Sequence, residues 1–283
     1  MGNKLVALVD GSIYSKSVCE NAAWLARRAG TPVEVLHVLG RRDVPVTDLS
    51  GSIALGARSA LLADLAELDE RRAKLSQQKG RAILEDAKAI LTEGGVADVS
   101  TRLMNGDIVE TLGDFEADAE LIVIGKRGEG ADFAKMHLGS NLERVVRSSK
   151  RPVFVAARGF SEIGSVLVAF DGGPSAMKAV DYIATSPVFA GVSIRLLTVG
   201  NESAEAAAKL ESARARLAAA GLDVAAGIQP GQPETVIAEI VEQGGVDLLV
   251  MGAYGHSRIR SLFIGSTTSE MIRSCKIPVL LFR

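Results

Sequence analysis

The 283-residue chain is 47% apolar but only 4% aromatic, so its core must be built from Ala, Val, Ile and Leu, which suits parallel sheets covered by helices. A net charge of −2 gives no broad attraction for nucleic acid, and any phosphate site must be local. No apolar run reaches membrane-spanning length, and Cys19 and Cys275 lack disulfide-framework or metal-ligand spacing, so a soluble cytoplasmic protein is expected.

The N-terminal "MGNKLVALVDGS" lacks a signal-peptide pattern and runs directly into a strand that ends at Asp10-Gly11. A helix follows from Tyr14 or Ser15 through "SVCENAAWLARRAG", closed by Gly30 and Pro32. "VEVLHV" (33–38) is the second strand. Residues 53–91 carry Leu61, Leu62, Leu65, Leu68 and Leu75, then Ile83, Leu84, Ala87, Ile90 and Leu91, with charges between them. This spacing predicts one long or two consecutive amphipathic helices. Two roles stand open for it: an enlarged covering helix, or an arm that contacts a partner or lids the neighbouring site. The third strand ends at "LMNGD" (103–107), the fourth is in "AELIVIGKRG" (119–128), and the fifth in "KRPVFVAAR" (150–158).

The chain then repeats itself. "SVLVAFDGG" (165–173), "SIRLLTV" (193–199), "IQPGQP" (228–233), "VDLLVMGAYG" (246–255) and "KIPVLLFR" (276–283) restate the five segments in order. Ser175 is the expected cap of the first helix in this copy, which should break by Ser186-Pro187. The period is too long for a solenoid unit, so the repeat is a duplicated domain. Residues 1–158 and 159–283 are the expected units. Asp10 and Asp171 are 161 apart, as are Val38 and Val199, whereas Gly106 and Gly231 are 125 apart; the first copy therefore holds about 36 extra residues, in the 53–91 stretch. The order β-α-β-α-β-α-β-α-β predicts two tandem, doubly wound, Rossmann-like α/β domains, each with a five-stranded parallel sheet. Such a sheet places its ligand outside the carboxyl ends of its strands. If strands one and four are neighbours, the Asp-Gly turn and the glycine segment form two lips of one crevice.

In "MGAYGHSRIRSLFIGSTTSE" (251–270), Gly252 and Gly255 let the backbone bend and approach a ligand. Gly265-Ser266-Thr267 opens a helix whose N-terminus suits an anion. Ser266, Thr267 and Thr268 offer hydroxyls, while His256 and Arg258 offer charge. No GxxxxGK[ST] occurs, and no GxGxxG follows the first strand of either copy. Taken singly, Asp171 is a turn residue, Val199 a core residue, and Arg258 and Arg260 solvated loop charges; only the set points to phosphate.

The spacing Gly252-x2-Gly255-x9-Gly265-Ser266, after a strand ending in Met251, resembles the nucleotide-binding signature of the universal stress protein family, and the similarity covers nearly the whole chain. The resemblance implies that the backbone of Ala169, Phe170 and Asp171, with Val199, frames an adenine. Gly252, Gly255, His256, Gly265, Ser266 and Thr267 would surround ribose and phosphates, with Mg2+ as a companion of ATP. Asp171 can accept from an exocyclic amine or a sugar hydroxyl. The first copy departs from this pattern. Its matching positions are Asp10, Val38, Gly125, Gly128, Gly139, Ser140 and Asn141, but ten residues separate Gly128 from Gly139, and Glu129 stands where His256 does. With Asp132 nearby, these acids repel a polyphosphate unless Lys126, Arg127 or a metal offsets them. A nucleotide is therefore expected chiefly in the second copy.

No catalytic constellation stands out: His37, His137 and His256 fall in separate segments, and no metal-ligand spacing occurs. Slow ATP hydrolysis or self-phosphorylation, on Ser266 or Thr267, is the most that the resemblance implies. Three functions compete: a stress-response regulator that binds an adenine nucleotide and presents a surface to a regulatory protein partner; a nucleotide-free scaffold acting through dimer surfaces; and an enzyme of the wider adenine-nucleotide hydrolase class. The lack of an SGGxDS-like loop argues against the third. The last strands, "PVFVA" and "PVLLF", are apolar edges that invite pairing. The family resemblance implies that they join the two copies as a pseudo-dimer within one chain; association of two chains through the 53–91 arm is a separate expectation.

Overall fold

A computed structural model of the chain describes residues 4–40, 57–128, 140–253 and 266–283, with only the backbone described at 57–60, 140, 266 and 267. The first half runs β1 (Lys4–Leu8), α1 (Ser15–Ala29), β2 (Val33–Leu39), α2 (Ala57–Glu93), β3 (Val99–Asn105), α3 (Ile108–Phe115), β4 (Ala119–Gly125), α4 (Ser140–Ser148) and β5 (Val153–Ala156). The second runs β6 (Ser165–Ala169), α5 (Pro174–Thr185), β7 (Ser193–Val199), α6 (Ala204–Ala219), β8 (Asp223–Gln229), α7 (Pro233–Glu242), β9 (Leu248–Gly252), α8 (Ser266–Ser274) and β10 (Val279–Phe282).

The strands form one ten-stranded sheet in the order β3-β2-β1-β4-β5-β10-β9-β6-β7-β8. Each half is parallel and winds both ways from its first strand, which lies between the second and fourth: β1 between β2 and β4, β6 between β7 and β9. The halves meet through β5 and β10, which pair antiparallel with Phe154 opposite Leu280. The edge pairing expected of the two apolar last strands is thus made inside one chain, leaving the sparsely covered β3 and β8 as the outer edges.

Side chains alternate across the sheet, and both faces are covered. Leu5 and Ala7 join a core with α1, α2, α5 and α6; Val6 and Leu8 join another with α3, α4, α7 and α8. That double coverage is why the strands read as unbroken apolar runs. Helix ends follow local chemistry. Gly30 closes α1 at φ 66°, and Asp107 caps α3 by accepting from the amides of Val109 and Glu110. Pro174 takes the first position of α5, so Gly173 rather than Ser175 is its N-cap; the proline's missing N–H costs nothing there, and its fixed φ suits a helix start.

From residue 57 on, the longer stretch of the first half lies in one continuous 37-residue helix, α2. Its buried Leu84, Ala87 and Leu91 correspond to Leu210, Ala213 and Leu217 of α6, so residues 78–93 do the covering work of α6. Residues 57–77 extend beyond anything in the second half. Among the described residues, no helix is long and apolar enough to cross a membrane.

Candidate functional site

At the carboxyl edge of the second half, β6 is flanked by β7 and β9, with Ala169 opposite both Leu197 and Met251. This brings Ala169, Phe170, Asp171, Val199, Met251 and Gly252 to one mouth. Phe170 is buried; its amide donates to the Leu197 carbonyl (2.8 Å), and its carbonyl accepts from Thr198 Oγ1 (2.9 Å). Both of its backbone groups therefore have protein partners. Asp171 Oδ1 accepts from the Gly173 amide (2.8 Å), closing a turn through Gly172 at φ 71°, and Lys209 of α6 lies over that glycine. Lys209 Nζ pairs with Glu205 at 2.7 Å.

Gly252 ends β9 under the first turn of α5, where an added Cβ would stand 3.0 Å from Ser175 Cβ. The first turn of α8 docks on the same strand end, because Thr268 Oγ1 donates to the carbonyls of Ala253 (3.2 Å) and Gly252 (3.4 Å). Thr268 thus differs from expectation: it is buried, and its hydroxyl proton anchors the helix rather than facing a ligand. Ser266 and Thr267 are placed as the first helical residues. Amides in such a first turn have no partner within the helix. Gly255, His256, Arg258 and Gly265 lie outside the described residues.

The first half carries the same plan with larger side chains. Asp10 Oδ1 accepts from the Ser12 amide (3.0 Å) in a turn through Gly11 at φ 78°. His37 is buried, with Nδ1 2.7 Å from the Val9 carbonyl oxygen. It occupies the place of Thr198, 161 residues later, and makes the same bond to the equivalent carbonyl. Ile83 of α2 covers Gly11 where Lys209 covers Gly172. Tyr14 stands against Gly125 where Ser175 stands against Gly252. Gly128 sits on the carboxylate of Asp10, with 2.7 Å between its ideal Cβ position and Oδ2. Val38 is half-buried opposite Met104, and Asn141 is exposed in the first turn of α4. Gly139, Glu129 and Asp132 lie outside the described residues, and Ser140 is described only as helix backbone.

Three polar or small positions of the second mouth, Ser175, Thr198 and Lys209, are thus Tyr14, His37 and Ile83 in the first. Reading motifs one at a time misses them. The signal was present in the repeat itself, since an offset of 161 pairs Tyr14 with Ser175 and His37 with Thr198.

A crevice of about 230 Å³ at the seam of the two halves is lined by Tyr14, Lys126, Arg127, Arg158, Arg273 and Lys276, among others. Its basic residues are largely committed. Lys126 donates across the seam to the Cys275 carbonyl at the end of α8, Arg273 pairs with Glu270, and Arg127 has a partner as well. Among the described residues, no three His, Cys, Asp or Glu side chains come together as a metal-holding group.

The sequence model of the universal stress protein family matches residues 1–157 and 198–283. A universal stress protein of Synechocystis is 39% identical over 284 residues, covering 99% of each chain. One from Mycolicibacterium smegmatis is 24% identical, covering 97% of this chain and 95% of its own. Among solved structures, a universal stress protein from Archaeoglobus fulgidus superposes with a TM-score of 0.74 at 22% identity, covering 99% and 96%, which speaks to the fold. With the family model matching most of the chain and a full-length relative at this identity, the chain belongs to the universal stress protein family.

Proposed function

We propose that this chain is a cytoplasmic stress-response regulator that binds an adenine nucleotide such as ATP, chiefly at the mouth of residues 159–283, while residues 1–158 form a companion domain with an altered crevice. The observation that carries the reading is the pairing of Gly252 with Ser175 beside the Asp171 turn. A bare Cα at Gly252 lets the first turn of α5, with the small Ser175, pack close over the end of β9, and the first turn of α8 docks against the same end through Thr268. Helix-terminal amides at such a strand end suit a phosphate group. The first-turn amides of α8 and the Asp171 turn are the described groups that would meet the phosphate and sugar of a nucleotide. The described residues offer no acidic cluster of their own for the accompanying Mg2+, which would be held by the phosphates. The first half has the larger Tyr14, His37 and Ile83 in the matching places, and among the described residues Ile83 rather than a lysine lies over its Gly11.

The test begins by denaturing the purified chain and identifying any released nucleotide by mass spectrometry, followed by titration calorimetry with ATP and magnesium. About one adenine nucleotide per chain is expected. Ser175→Tyr gives the second mouth the side chain that the first half already accommodates at Tyr14, and should abolish binding with the fold intact. No released nucleotide and no heat on titration would instead favour a nucleotide-free scaffold acting through its protein surfaces.

A further inference from the structure

The amino-terminal part of α2 presents an apolar face that no second helix among the described residues covers. Once α2 and α6 are aligned through their buried residues, residues 57–77 have no counterpart, and at 1.5 Å per residue they reach about 31 Å. Leu61, Leu62, Leu68 and Leu75 are 40%, 42%, 60% and 64% exposed, whereas Leu84 and Leu91 on the same helix are buried. The exposed leucines are not scattered. Leu61, Leu65, Leu68, Arg72 and Leu75 follow at steps of four, three, four and three, the seam of a two-stranded coiled coil. A covering helix that packed only on its own sheet would have no reason to carry that seam past the sheet.

We propose that this arm pairs antiparallel with the same arm of a second copy of the chain, about a two-fold axis between Leu65 and Leu68. The charges choose both the occupant and the direction. Leu61, Leu68 and Leu75 take one core position of the heptad and Leu65 and Arg72 the other, with Asp64 and Arg71 on one flank and Asp69 on the opposite flank. Parallel pairing would face Asp64 with Asp69 of the other copy and Arg72 with Arg72, like charge on like charge twice over. Antiparallel pairing faces Leu65 with Leu68, and Asp64 with Arg71, each contact made twice by symmetry. Arg71 already pairs with Glu67 on its own helix, and the five N–H groups of its guanidinium leave donors for a second carboxylate. Arg72 then lays its aliphatic stem over Leu61 of the other copy with its charge at the rim. A helix face complementary to itself in this way fits a second copy of this chain.

The experiment measures the mass of the full chain in solution by sedimentation equilibrium. The expected result is a dimer that Leu68→Glu converts to monomer, with association at least about tenfold weaker and thermal unfolding of the monomer unchanged, because Leu68 is exposed within one chain. Asp64→Arg and Arg71→Asp should each weaken the dimer, and the two together should restore it. For direction, mild oxidation of a mixture of Leu61→Cys and Arg72→Cys chains should give the mixed disulfide, since Cys19 and Cys275 are buried. A wild-type monomer, as would follow if the chain's own residues 41–56 or a different protein occupied the stripe, overturns the proposal. So does a dimer that survives Leu68→Glu, or a Leu61→Cys chain that crosslinks to itself.

Discussion

Gly125 lies so close to Tyr14 that a Cβ added to the glycine would stand 2.7 Å from the tyrosine's Cβ. The Tyr14 Cβ is fixed to the start of α1, so it cannot swing away, and the helix itself would have to move. At the equivalent position, Gly252 has Ser175 Cβ at 3.0 Å, a contact that a shift of a few tenths of an ångström relieves. Neither glycine has a positive φ, so the penalty is steric alone. Gly125→Ala should therefore destabilise the chain by about 1–3 kcal/mol, and Gly252→Ala by less. Urea unfolding of the two variants side by side decides this; equal losses would mean that the two helix starts yield equally.

Thr198 and His37 do the same work in the two halves: each bridges its strand to the carbonyl just before the Asp-Gly turn. Thr198→Val keeps the shape and removes the donor to Phe170. A loss of about 1 kcal/mol is expected, typical of one neutral hydrogen bond at a half-buried site. Thr198→Ser, which keeps the hydroxyl, should recover most of it. A Val variant as stable as the parent would show that water replaces the bond without loss.

Most of the fold was legible because the physics was local and written twice. The apolar runs 5–9 and 166–170 each lead straight into Asp-Gly, and that turn chemistry marked where strand gave way to helix. The adjacency of β1 with β4 and of β6 with β9, inferred from the usual winding, appears in the sheet. The start of α5 was less legible, because Ser175 looked like a cap while Pro174 had already begun the helix. Side-chain size at the two mouths was not legible from motifs, since Tyr14 and Ile83 matter only through what they stand against. Thr268 shows the same limit: a hydroxyl in a glycine-rich segment reads as a ligand donor until the strand end beneath it is seen to accept its proton.

Arg28 ties the two halves together away from β5 and β10. Its Nε donates to the Val188 carbonyl at 2.6 Å, its Nη2 donates to the Ala190 carbonyl, and its guanidinium lies 5.2 Å from the centre of the Trp24 ring. A planar fork makes these contacts at once, and an ammonium group cannot. Arg28→Ala should cost about 2 kcal/mol, and Arg28→Lys should recover less than half of that, as read by thermal or urea unfolding. Full recovery by lysine would reduce the contact to charge alone.

Lys126 gives a pH signature. It is buried at the seam, where desolvation depresses its ammonium from the ordinary 10.5 to about 8; the nearby Cys275 opposes this shift, and Arg127 adds to it. Below about pH 8, folded and unfolded chains both carry the proton, and the full penalty of burying the charge is present. Between about 8 and 10.5 the unfolded chain holds a proton that the folded chain has released, so this group makes stability rise with pH; above that window its penalty is gone. Burial holds the Cys275 thiol above its ordinary value, and the nearby Lys126 opposes that. Lys126→Met removes the penalty but also the bond to the Cys275 carbonyl. The variant should therefore be more stable than the parent at pH 7, by about 2 kcal/mol after about 1 kcal/mol is subtracted for the lost hydrogen bond. The advantage should shrink steadily from pH 8 and reverse by about pH 10.5. Comparing urea midpoints of the two chains at each pH cancels the titrating groups that Lys126 does not touch, and a difference that stays flat from pH 7 to 10 would show that Lys126 keeps an ordinary ammonium at the seam.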